Sequence, residues 1–111
     1  MHTDDIDKLA GPELSAAVAR EVMGWSREIF GGAGYCWKTP DGKWEAVFKA
    51  HRDRNDAHRV LMRCADLGIE TKVWKTIADG LESQKFRGWV LLTIDPAIIC
   101  RAALRAVMAS R

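Results

Sequence analysis

A chain of 111 residues with 48% hydrophobic and 29% charged side chains is too apolar to stay disordered, and it is long enough to bury one core without staples. Its formal net charge of +2 is too small to mark a polyanion-binding protein by itself, and no apolar run reaches the length of a membrane span. The acidic opening MHTDDIDKLA lacks the basic and then apolar pattern of a signal peptide, so the expectation is a cytoplasmic, unprocessed single globular domain over residues 1–111, with residues 1–10 as a loose lead-in.

Gly11-Pro12 opens the first predicted helix, with proline in the first turn, where its missing N–H costs nothing. Leu14, Val18 and Val22 recur at i, i+4 and i+8 as its core stripe, and Gly24 stops it. Trp25 to Gly34 reads as irregular. Its Gly31-Gly32-Ala33-Gly34 run has glycines able to cradle an anion, but not the strand, lysine and following helix of a phosphate-binding loop, so it reads as a linker. Tyr35–Lys38 and Lys43–Lys49 flank Thr39-Pro40-Asp41-Gly42 and predict a hairpin, with Pro40 early in the turn and Gly42 at its left-handed position. Trp37 and Trp44 then stand near the turn as cross-strand neighbours, either stabilising the sheet or anchoring a partner.

A second helix is expected from Asn55 to Leu67, capped by Asp53 or Asn55 and ended by Gly68. Ala57, Val60, Leu61, Cys64 and Leu67 form its apolar face, with His58, Arg59, Met62, Arg63 and Asp66 opposite. Ile69 to Ile77 alternates and predicts a half-buried strand. Phe86 to Ile94, apolar on both faces, predicts a central strand covered above and below. Asp95-Pro96 opens a last helix running to Met108, apolar round most of its circumference, with Arg101 and Arg105 as a narrow wet edge. This helix is the one the rest should pack around. The element order predicts an α+β fold, a small antiparallel β-sheet with three helices in an α/β/α layered sandwich. Cys36, Cys64 and Cys100 are widely spaced, with no ligand spacing to histidine or to each other, so free buried thiols are expected, with no metal and no cofactor.

Three segments taken together, AGPELSAAVAREVMGW (Ala10–Trp25), DRNDAHRVLMRCADLG (Asp53–Gly68) and WVLLTIDPAIICRAALRAVM (Trp89–Met108), resemble the phage ABA sandwich domain family, small proteins encoded by phages and prophages. ELSAAVAREVMGW and AIICRAAL carry most of the likeness. The entry to the second helix departs from it, with HRDRND where the family typically has a Tyr-Ser-Thr-Asp type of start. The matching residues are core and cap residues. The resemblance therefore implies the fold, a phage origin and action in a bacterial host cytoplasm, and it implies no defined catalytic residues.

Catalysis requires a nucleophile or an acid/base set converging on a pocket. His51, His58 and Asp53 are the only cluster to consider, and no serine, cysteine or second carboxylate is evidently placed to work with them, so no catalytic residue is expected and a small hydrolase ranks last. A nucleic-acid-binding module would use the basic entry to the second helix, Arg52, Arg54, Arg59 and Arg63, where free N–H groups already favour an anion. Fifteen acidic residues and a pI near 8.5 speak against it. A compact chain with five tryptophans and no catalytic set fits a binding protein best. The resemblance makes this a small phage-type accessory protein that binds a host factor, as an antagonist of a host defence system through a protein target or a nucleotide signal. The expected binding residues lie on two surfaces, Trp37 and Trp44 at the hairpin tip and Arg52, Arg54, Arg59 and Arg63 at the basic entry to the second helix. The expected partner is a host protein or protein complex, with a nucleotide, a nucleic acid or a second copy of the chain as alternatives, and no membrane.

Overall fold

A computed structural model describes residues 3–29, 31–80 and 94–111. Five helices stand among the described residues, α1 (Thr3–Lys8), α2 (Gly11–Glu21), α3 (Arg54–Asp66), α4 (Glu70–Gly80) and α5 (Pro96–Ala109). Strands β1 (Ser26–Ile29), β2 (Tyr35–Lys38) and β3 (Trp44–Glu45) form an antiparallel sheet in the order β1-β2-β3. The class is α+β, with five helices where the pattern predicts three. The strand predicted over Phe86–Ile94, on which the α/β/α layering rested, lies outside the described residues apart from Ile94.

α5 is the hub, and α1, α2, α3 and α4 all pack on it. Asp95 caps it by accepting the Ala97 N–H at 2.9 Å, and Pro96 occupies the first turn. Ile99, Cys100, Ala102, Ala103, Leu104, Ala106 and Val107 are buried. They cover most of the helical wheel, so neighbours must pack on several sides, and the small alanines let those helices approach closely. Arg101 and Arg105 form an edge that is only partly wet, and each is tied to the N-terminal segment. Arg101 donates to the Leu9 carbonyl at 3.1 Å, and Arg105 pairs with Asp7. These contacts tie down a segment that reads as a loose lead-in but forms α1, whose Ile6 is fully buried.

α2 presents Leu14, Ala17, Val18 and Ala19 to the core, and Gly24, at φ 72°, turns the chain so that the Trp25 N–H reaches the Ala19 carbonyl at 2.9 Å. α3 starts on Asp53, whose carboxylate accepts from the Asn55 and Asp56 N–H groups at 2.8 and 3.1 Å. It ends in a Schellman turn, with Gly68 at φ 72°, Gly68 N–H to Ala65 O at 3.0 Å and Ile69 N–H to Cys64 O at 3.0 Å. That turn leads directly into α4, a helix where the alternation of Ile69–Ile77 predicts a strand. Ile69, Val73 and Ile77 are the buried positions, spaced by four. Four residues are two strand periods and also about one helical turn, so this stripe satisfies both patterns.

β1 emerges from the stretch that reads as irregular. Arg27 pairs with Trp37 and Ile29 with Tyr35. The hairpin turn forms as expected, with Gly42 at φ 88°, Thr39 N–H to Lys43 O at 2.8 Å and Gly42 N–H to Thr39 O at 3.0 Å. The second arm is shorter than predicted, and the chain leaves the sheet after Glu45.

Candidate functional site

The hairpin register pairs Trp37 with Glu45 and Lys38 with Trp44. Successive strand residues face opposite sides, so the two tryptophans are not a stacked pair. Trp37 is 9% exposed and belongs to the core, whereas Trp44 is 38% exposed, with the Lys38 ammonium 5.5 Å from its ring centroid.

The four arginines around α3 also separate. At about 100° per residue, Arg59 and Arg63 lie about 40° apart on the helix, while Arg54 lies about 180° from Arg63. Arg54 turns to the α5 side and donates to the Ile94 carbonyl at 3.1 Å. Arg63 donates through Nε to the Val22 carbonyl at 3.2 Å, at the C-terminal end of α2, where the dipole favours a cation. Arg59 is the most enclosed chemically. Its guanidinium lies 5.0 Å from the Trp25 ring and 5.8 Å from Phe48, and it pairs with Glu45 and with Asp56, the latter at 3.3 Å. Trp25 and Phe48 themselves meet edge to face at 4.8 Å. Arg52 is exposed. Neither the tryptophan pair at the hairpin nor the four arginines at the entry to α3 therefore forms one surface.

Three of them do meet. Trp44, Arg59 and Arg63 line a groove of about 510 Å³ between the hairpin turn and α3, closed by Pro40, Asp41 and Lys43. Both signs of charge line it. Lys43 lies 3.8 Å from Asp41, whose carboxyl is held below its usual range first by the hydrogen bond from Thr39.

Trp37 and Arg52 line a second groove, of about 490 Å³, with Arg27, Tyr35, Lys49 and His51. The His51 backbone N–H donates to Ser15 Oγ at 2.9 Å, and His51 Nδ1 lies 2.7 Å from the same oxygen. Ser15 is 2% exposed, and His51 is its only side-chain partner among the described residues. Its oxygen accepts the N–H, so its hydroxyl proton is satisfied only by turning to Nδ1, which places the ring proton on Nε2. Desolvation, then Arg52 and Lys49, holds the imidazole pKa below its ordinary value and so favours the neutral ring. Sequence patterns do not reveal this serine–histidine contact, because the residues stand 36 apart. Ser15 is buried behind the histidine and does not line the groove, so the pair orients a ring and presents no nucleophile. Arg27 and Tyr35 escape sequence reasoning too, because their strand pairing depends on β1.

Arg54 lines a third, more apolar groove with His58, Met62 and Trp74. Among the described residues, no group of three His, Cys, Asp or Glu side chains is placed to hold a metal ion, and no helix is long and apolar enough to cross a membrane. No family model, curated protein or solved structure matches the chain.

Proposed function

We propose that this chain is a non-enzymatic binding protein whose partner is a protein surface seated on the groove between the hairpin turn and α3. The observation that carries this reading is Trp44, a large ring 38% exposed at a turn, beside Arg59 and Arg63 already fixed by their own contacts. Tryptophan and arginine are the residues that most often dominate interface energies, and side chains already held in place lose little entropy on binding. Asp41 and Glu45 on the same walls repel a polyanion and suit the mixed charge of a protein surface. That the partner is a host factor, and that binding antagonises a host defence system, rests on the resemblance to phage ABA sandwich proteins and on the size of the chain.

The test is capture from a bacterial lysate by immobilised wild type, Trp44→Ala and Met62→Ala, each first shown to be folded. Met62 is 55% exposed and lies on a different groove, so its variant is the control. The expected result is one protein bound by wild type and Met62→Ala and lost with Trp44→Ala, with little salt dependence. Capture that is indifferent to Trp44 rejects the site. A fall in affinity of roughly 10³-fold or more between 50 and 200 mM salt makes the partner a nucleic acid instead.

A further inference from the structure

We infer that the groove between the β1–β2 face and the Lys49–Arg52 turn is a binding site for a nucleoside phosphate, independent of the hairpin groove. Arg27, Lys49 and Arg52 line it against a single carboxylate, Glu13. Among the described residues none of these three cations is in a salt bridge, whereas Arg59, Arg105 and Arg111 each are. Among the described residues the groove therefore concentrates positive charge that Glu13 offsets only in part, in a chain whose net charge is only +2.

The ring system stands beside that charge. The Arg27 guanidinium lies 5.3 Å from the Tyr35 ring centroid and 5.9 Å from Trp37. A guanidinium held over ring faces keeps its N–H edge directed outward, the geometry that binds phosphate oxygens in pairs. Tyr35 is 63% exposed, leaving ring surface for a base to stack on. His51 adds a fixed donor. With Nδ1 committed to Ser15, its neutral ring offers the Nε2 N–H, the atom available to a phosphate or a base carbonyl. A volume of about 490 Å³ is that of a small-molecule site. Inorganic phosphate would use the cations and leave the ring idle, and a neutral aromatic would do the reverse. A nucleoside phosphate uses both.

The full chain is titrated calorimetrically with AMP, adenosine and inorganic phosphate. AMP is expected to bind below about 1 mM, with adenosine and phosphate each at least about tenfold weaker. Arg52→Ala and Tyr35→Ala are both exposed substitutions, verified as folded by circular dichroism. Each is expected to weaken AMP about tenfold, by loss of a charged hydrogen bond and of a stacking face respectively. Trp44→Ala should leave AMP binding unchanged, which separates this site from the protein-binding groove. Nitrogen NMR of His51 should show the Nε2–H tautomer in the free protein and a raised His51 pKa with AMP bound, since a bound anion offsets the neighbouring cations. Three results overturn the inference: no binding of AMP, GMP, CMP or UMP at about 1 mM, phosphate binding as tightly as AMP, or AMP binding that survives both substitutions.

Discussion

Cys64 and Cys100 are free thiols closed inside the core, and burial pushes their pKa from the ordinary 9.0 to about 11 and about 12. The folded state therefore keeps two protons that the unfolded chain releases, and ΔG of unfolding falls with pH wherever that difference exists. Stability contributed by these thiols is intact below pH 9.0 and is lost as pH climbs through about 11 and then about 12. Denaturation midpoints should be lower above pH 9.0 than below it, and Cys64→Ala/Cys100→Ala should start lower yet lose less over the same range. Equal losses would show that other groups, lysines first, carry the effect. The buried thiols are legible in the sequence, because they sit on apolar helix faces. The arginines of α3 look like one patch because they are close in sequence, although their helical angles already separate Arg54 from Arg63. What no pattern could supply is a destination: Arg59 under two rings and two carboxylates depends on residues as far away as Trp25.

Gly68 decides how the chain continues beyond α3. Its left-handed backbone closes the Schellman turn, and nothing lies within 4 Å of where a β-carbon would stand, so a side chain there meets only conformational cost. Gly68→Ala should destabilise by about 1 kcal/mol in urea denaturation, while Gly32→Ala, at an unstrained position in open space, should stay within about 0.5 kcal/mol. Similar values at both sites would remove the left-handed constraint as the explanation. Helix ends are the most legible elements of this sequence, since Asp53, Asp95, Gly24 and Gly68 all terminate helices as their chemistry dictates. The elements most easily misread are those whose pattern fits two periods, as in α4, and those whose pairing is distant. β1 is exposed along its whole length, so no buried face marks it, and only its register with β2 makes it a strand.

At the scale of the molecule, four helices share one partner. Leu104 is fully buried and Ile99 6% exposed on α5, so Leu104→Ala or Ile99→Ala should cost about 2–5 kcal/mol by chemical denaturation. Arg101→Ala should cost about 1 kcal/mol, more than an ordinary surface change, because it releases the Leu9 carbonyl. Parity between Arg101→Ala and Leu104→Ala would mean that the charged tie, not apolar burial, holds α1 and α5 together. The position of the hub in the chain also governs when the protein can fold. Ribosomes deliver residues in order at about 5–20 per second. α1 to α4 therefore emerge before the helix on which all four of them pack. A chain cut short before Pro96 lacks the surface on which those four helices pack, and the residues they bury against α5 are left exposed.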